Sequence, residues 1–493
     1  MARPSRFAPA ACVLLAGLLC AGAASARVAD AQRSQILGLV DKGGPRMGEV
    51  AQQIWGFAEV GYQETKSSAL LQKELKAAGF TVEAGVAGMP TAFVARFRNG
   101  DGPVIAILAE FDALPGLSQK AEPGRAPIAG QEAGHGCGHH IFGAASVAAA
   151  QAVKAWMQAN DVKGEIRVYG SPAEEGGSGK VYLVRAGLFN DVSATLHWHP
   201  SDENDASQEI SLANISGKFR FAGLSAHASA SPEKGRSALD GVEIMNVAVN
   251  YLREHIPSAT RIHYVTTDGG SAPNVVPDKA EVYYYVRHAD PQVVRDVMAR
   301  VQKAAEGAAM ATETKVSFEQ TGGVYNMLPN DVLGRLMDLN LREVGGETWD
   351  AKDIAFGQAM TAHLAPTKLT LASVGQIKPY ELGGGGGGST DVADVSWVTP
   401  TAGMNAATWV PGTPAHSWQA VAAGGTPIAT KGGVVAAKTL ALTAADLFSD
   451  PAVIAKAKAE LEQRRGSGFT YKAMVGDRPP PLDYRRKAVE VKP

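Results

Sequence analysis

Apolar residues gather into short blocks along this chain, and polar clusters repeatedly interrupt the blocks at their C-terminal ends. Val104-Ile105-Ala106-Ile107-Leu108-Ala109 is a continuous apolar run, the pattern of a strand buried on both faces. It leads directly into Glu110-Phe111-Asp112-Ala113-Leu114-Pro115. The alanine-rich stretch at residues 141–157 predicts a helix. Residues 165–169 predict a second strand, running into Ser171-Pro172-Ala173-Glu174-Glu175-Gly176-Gly177. Residues 192–196 predict a third, ending before His197-Trp198-His199-Pro200. Strands alternating with helices predict an α/β domain with a mostly parallel sheet. In such sheets the active site lies beyond the carboxyl ends of the strands, which is where the acids and histidines fall here.

Between residues 212 and 325 the texture changes. Residues 218–221 and 280–287 read as strands of a smaller α+β unit, and residues 292–310 as an amphipathic helix. The earlier pattern then resumes. The expectation is a catalytic domain in two parts, 27–211 and 326–493, with an inserted domain at 212–325.

The N-terminus has its own signature. Arg3 and Arg6 precede an apolar run over residues 8–24, and Ala24-Ser25-Ala26 supplies small residues for cleavage. That order is the one found in a secretory signal peptide, here residues 1–26, with a fallback cut after Ala31. The run is short and rich in alanine and glycine for a membrane anchor. Leu19 stands where a small residue would precede a lipidated Cys20. A periplasmic or secreted protein is expected.

Composition narrows the remaining classes. The 493 residues exceed what one core usually serves. Hydrophobic content of 45% with 19% charged residues describes an ordinary globular chain. A formal net charge of −2 gives no reason to expect nucleic acid or a membrane surface as partner. Loss of the leader removes Cys12 and Cys20, so Cys137 would be the one remaining thiol and no internal disulfide could form. A lone thiol in an oxidising compartment calls for protection, and metal coordination would provide it.

Cys137 lies in Gly134-His135-Gly136-Cys137-Gly138-His139-His140, where glycines allow a thiol and an imidazole to turn toward one point. Taken singly, the other candidates have ordinary readings. Glu174 and Glu175 could be solvated acids at a helix start, His199 a core histidine, His416 a loop residue and Asp112 a turn cap. Together they place ligand-type side chains at several strand ends and Gly/Pro-rich loops. Adjacent glutamates also suit a metal site, since one can bind the ion while its neighbour takes a proton from water activated there.

The motifs Glu110-Phe-Asp112-Ala-Leu-Pro115-Gly, His135-Gly-Cys137-Gly-His139, Pro172-Ala-Glu174-Glu175-Gly-Gly, Trp198-His199-Pro200, Ser389-Thr-Asp391-Val and Pro414-Ala-His416-Ser resemble those of the co-catalytic metallopeptidase and aminoacylase family. That family includes carboxypeptidase G, hippurate hydrolase and the indole-acetyl-amino-acid hydrolases. The resemblance implies a homodimeric hydrolase of N-acyl or N-aroyl amino acids with two divalent metal ions, zinc or manganese. An additional subunit stays open. Glu174 would be the general base, with Cys137, His139, Glu175, His199 and His416 as ligands. Asp112 would orient a ligand by hydrogen bond. Glu110 stands where many relatives carry a metal-binding histidine.

In the insert, Phe221-Ala-Gly223-Leu-Ser-Ala226-His227-Ala228-Ser229 matches the family pattern. His227 would stabilise the oxyanion by reaching into the partner's cleft, and Asn274 and Arg287 would contact substrate. His197 rivals His199, which the Trp-His-Pro match favours. His140 replaces a usual Asp or Asn and could add a ligand or alter substrate contacts. The glycines at 383–388 read as a linker or, preferably, a mobile loop at the cleft. Two competing functions are a thiol hydrolase using Cys137 as nucleophile and a non-catalytic binder of peptide-like ligands.

Overall fold

The computed structural model describes residues 27–385 and 388–485. The leader expected at residues 1–26, and glycines 386 and 387 of the glycine run, lie outside the described residues.

Six strands form the central sheet: β1 (Thr81–Ala84), β2 (Phe93–Asn99), β3 (Val104–Glu110), β4 (Gly164–Ser171), β5 (Ala194–Ser201) and β6 (Thr401–Ala407). Their spatial order is β1-β2-β4-β3-β5-β6. β4, β3, β5 and β6 are parallel. β2 joins β4 antiparallel, and β1 pairs antiparallel with β2. β4 is buried along its whole length and β3 nearly so, because helices and loops cover both faces.

Three helices, α1 (Asp30–Phe57), α2 (His139–Ala159) and α3 (Pro427–Ser449), pack together over one face. Alanines make α2 apolar nearly all round, so it is buried on several sides at once. The Arg27 guanidinium lies 2.9 Å from Asn340 Oδ1, and Val28 N donates to the buried Asp446 carboxylate at 3.0 Å. Among the described residues, no helix is long and apolar enough to cross a membrane.

The insert forms its own antiparallel sheet, in the order Arg261–Asp268, Lys279–His288, Ala213–Ala222, Lys315–Val324. In the second of these strands Ala280, Val282, Tyr284 and Val286 face inward, beneath helices Ala238–Leu252 and Pro291–Ala311. An apolar surface remains open on the edge strand and the first helix. Tyr251 is 72% exposed, Val265 56% and Val247 54%.

Three expectations need correction. β5 does not stop at residue 196 but runs through the histidines, paired with β6 from Thr195↔Thr401 to Ser201↔Ala407. Its alternate residues Leu196, Trp198 and Pro200 are buried, while His197 and His199 line a cavity, which broke the apolar run read from sequence. α2 starts at His139, two residues before the apolar stretch. Part of the glycine run is neither linker nor loop: Leu382–Gly385 is a short strand paired with Gln208–Ile210.

Candidate metal and catalytic site

Beyond the carboxyl ends of β3, β4 and β5 lies a cavity of about 540 Å³, with Cys137, Glu174, Glu175, His199 and His416 in its wall. The chain turns into α2 at Gly138, whose φ of 77° belongs to the left-handed region. A Cβ there would lie 2.5 Å from Pro200 Cβ, so only glycine lets the Cys137 loop sit against β5.

Asp112 is the hinge of the arrangement. Its Oδ1 accepts from His139 Nδ1 at 2.9 Å and its Oδ2 from the Glu175 N–H at 3.0 Å. This sets the tautomer of His139: the proton sits on Nδ1 and the Nε2 lone pair faces inward. His199 is held likewise. Its Nδ1 donates to Pro200 O at 2.7 Å, leaving Nε2 facing Cys137 Sγ at 3.4 Å. His416, at φ 58°, is pinned by its N–H to Gly136 O at 2.8 Å. Its Nε2 lies 3.1 Å from Glu175 Oε1 without hydrogen-bond alignment.

Ligand-type atoms converge in overlapping groups: Cys137, His139 and His199; Cys137, Glu175 and His416; Glu110, His139 and Glu174. Within each group the atoms lie within 4.8 Å of one another. The first two share Cys137. Several of these atoms are buried without a hydrogen-bond partner, namely His139 Nε2, Glu110 Oε2 and Glu175 Oε1. His139 Nε2 and Glu110 Oε2 face each other at 3.1 Å. Two such atoms need a proton or a metal ion between them, and the donor set fits metal ions.

The electrostatics agree. Burial opposes a charge on His139, yet the acidic surroundings raise its pKa, so a proton on Nε2 would face Glu110 wherever no metal ion took that place. Burial, with Glu110 and Glu175 alongside, raises Glu174 well above the usual carboxyl range. Burial also pushes the Cys137 thiol up, so in the protein alone it is not a standing thiolate. The Glu175 carboxylate raises His416.

Other predicted residues lie elsewhere. His140 is corrected as a possible ligand: it turns away, Nε2 within 2.9 Å of Gly424 O, and burial lowers it to about 4. His197 does line the cavity, beside His199, with Nε2 buried and unpartnered. His227 and Asn274 are exposed on the insert and absent from the cavity wall of their own chain. Arg287 comes near through Ser389, whose Oγ is 3.4 Å from Nη1 and which lines the cavity. Gly388, from the glycine run, also lines it.

Sequence reasoning missed Lys180. It is fully buried, with Nζ 2.6 Å from Glu110 Oε1 and 2.7 Å from Asp391 Oδ1. Its signal was a cation at the second position of the short helix Gly179–Arg185, followed by Val181, Tyr182, Leu183 and Val184.

Comparison with known proteins assigns the family. Residues 213–313 match the peptidase dimerisation domain, M20_dimer. The chain is 40% identical to one of the chains that make up p-aminobenzoyl-glutamate hydrolase of Escherichia coli, over 85% of this chain and 92% of that protein. This chain belongs to the M20 peptidase family. It is a metal-dependent amidohydrolase with an α/β catalytic domain and an inserted dimerisation domain. The Xaa-Arg dipeptidase of Mus musculus is 28% identical over 90% of this chain and 94% of its own. Two solved M20-type folds superpose. One is a dinuclear metal-binding M20 peptidase of Bacillus subtilis, with TM-score 0.56, 18% identity and coverage of 83% of this chain and 99% of that one. The other is the aminobenzoyl-glutamate utilization protein of Klebsiella pneumoniae, with TM-score 0.55, 18% identity and coverage of 80% and 97%.

Proposed function

We propose that this M20 enzyme is an exported, homodimeric hydrolase of the amide bond in N-acyl or N-aroyl amino acids, with p-aminobenzoyl-glutamate as the leading substrate. The observation that carries this reading is the pair of ligand groups sharing Cys137, with Glu174 beside them in the same cavity. Cys137, His139, Glu175, His199 and His416 would hold two divalent ions, zinc or manganese, which when bound supply Lewis-acid activation of water and of the scissile carbonyl. Glu174 takes the proton of the attacking water and returns it to the departing amine. Burial and the neighbouring carboxylates raise its carboxyl, which favours its holding the proton between the two steps.

His227 accepts from the Ser229 and Ala230 N–H groups on Nδ1, at 3.3 and 3.1 Å. Its neutral form therefore carries the proton on Nε2, a donor suited to a developing oxyanion. Since His227 and Asn274 stand away from the cavity of their own chain, the partner's cleft is their proposed place of action. Arg287 would meet the substrate carboxylate through the Ser389 wall. The exposed apolar surface around Val247, Tyr251 and Val265 supports self-association. Two Escherichia coli relatives are named as different subunits of one hydrolase, so a second related chain is the further candidate partner.

Of the two proposed cuts, the one after Ala26 keeps the Arg27 and Val28 contacts. A cut after Ala31 would remove both contacts and open α1. The alternative substrate class is other acyl amino acids or dipeptides, as the Xaa-Arg dipeptidase name suggests. Burial of the Cys137 thiol speaks against a thiol hydrolase.

The test is amine release from a panel of N-acyl amino acids, including p-aminobenzoyl-glutamate, by metal-loaded, chelated and Glu174→Gln protein. Turnover confined to the loaded wild type is expected. Turnover that survives verified metal removal would overturn the reading.

A further inference from the structure

After its last helix, Pro451–Arg465, the chain continues as an extended strap that crosses from the insert to the back of the catalytic turn. At the insert end, Gln320 Nε2 donates to Met474 O at 2.5 Å and Tyr325 OH to Lys472 O at 3.0 Å. Midway, Arg185 Nη1 donates to Gly476 O and Arg478 O, at 2.7 and 2.8 Å. At the far end Gln63 Nε2 donates to Leu482 O at 2.8 Å. Tyr484 OH and Arg485 Nη2 both donate to the carbonyl of Glu175, at 2.9 and 2.7 Å.

The turn receiving those donors is unusual backbone. Ala173 (φ 57°, ψ 41°) and Ser178 (φ 59°, ψ 44°) are non-glycine residues in the left-handed region, and Gly176 between them has φ 92°. Such conformations persist only where the surroundings over-determine them. Four supports come from elsewhere: Glu64 Oε1 accepts from Ala173 N at 2.9 Å, Tyr62 OH donates to Gly177 O at 2.8 Å, Asp112 takes the Glu175 N–H, and Asp391 Oδ2 takes the Lys180 N–H. The Glu175 carbonyl, between the two glutamates' side chains and Gly176, is held by the strap.

We infer that Tyr484 and Arg485 are positioning residues for the Glu174–Glu175 pair, acting through the Glu175 carbonyl. The inference rests on the reading of Glu174 as base. Without the two donors the turn has room to relax toward ordinary backbone angles, carrying both carboxylates out of place. Misplacement by an ångström can cost a hundredfold in rate.

The experiment compares wild type, Tyr484→Phe/Arg485→Met and Tyr484→Phe/Arg485→Lys, the last keeping one donor. Three readouts are taken: kcat and KM on the best substrate, bound metal, and amide hydrogen exchange across residues 173–179 in metal-free protein. At saturating metal the Phe/Met variant should lose about 10–100-fold in kcat with KM kept, and its metal affinity should weaken because Glu175 is one of the ligand-type residues. Its turn should exchange faster, and the Phe/Lys variant should recover much of both. Wild-type kcat or wild-type exchange in the Phe/Met variant overturns the inference. So does activity at saturating metal lost only in proportion to lost folded protein. If wild type itself turns over nothing, the functional reading fails, and exchange in the metal-free protein still decides the role of the strap.

Discussion

Asparagine at position 112 is the sharpest probe of how the metal ligands are oriented. Asp112 is buried, with both carboxylate oxygens engaged: one takes the His139 Nδ1–H, the other the Glu175 backbone N–H. Burial disfavours its charge, but His139 outweighs that and lowers its pKa, so the group works as a double acceptor. Asparagine has nearly the same shape and offers one acceptor. Whichever way the amide turns, its NH2 meets an N–H donor. Either His139 loses its tautomer lock or the Glu175 amide is left unpaired. A hydrogen bond to a charged group contributes about 1.5–3 kcal/mol. Losing one therefore predicts about a 10–150-fold drop in metal affinity, in line with the usual cost of disturbing a ligand's supporting carboxylate. The assay is competitive titration of metal-free protein against a chromophoric chelator, with kcat/KM then measured at saturating metal. Metal affinity within about threefold of wild type would refute the claim that Asp112 sets ligand geometry.

Three further outcomes follow from buried groups. Lys180→Met removes the cation shared by Glu110 and Asp391 and should cost about 3–5 kcal/mol in chemical denaturation. Adding Glu110→Gln and Asp391→Asn should recover most of it, and no recovery would show that the loss is not electrostatic. Gly403→Ala would place a Cβ 2.2 Å from His197 Cε1. The strain should cost about 1–3 kcal/mol and be relieved by adding His197→Ala, which a thermal melt of the single and double variants can check. Burial, more than nearby Asp353, pushes Glu347 up to about 8. Its stabilising protonated state is complete below the unfolded pKa near 4.3 and is lost as pH rises through about 8, a span of up to about 5 kcal/mol. Glu347→Gln should therefore flatten the pH dependence of the denaturation midpoint between about pH 5 and pH 8, and an unchanged slope would count against it.

The local chemistry of the site was legible because each ligand-bearing segment carries its own signal. The run at Val104 reads as a buried strand, and the acids at its end fall where parallel sheets place their sites. The Cys-Gly-His turn announces two ligand types on a flexible backbone. Adjacent residues were harder to separate. His139 and His140 are neighbours on the first turn of α2, so their side chains diverge around the helix axis. One enters the site, while the other reaches Gly424. His197 and His199 share a strand face. No spacing rule distinguishes them, and contact with Cys137 singles out His199.

By itself, then, the chain determined its alternation of buried strands and helices, the interruption by a second unit, and the residue types gathered at strand ends. These follow from hydrophobic patterning and donor chemistry, which act over a few residues. The tertiary structure alone decided which atoms meet. Asp112, bonded to His139, also meets Glu175 across 63 residues, Lys180 meets Asp391 across 211, and Arg485 reaches Glu175 across 310. Such pairings depend on how strands stack and where loops return. Burial then supplies their force: in a dry interior an unpaired polar group is too costly to leave, so the fold must bring it a partner from wherever the chain passes.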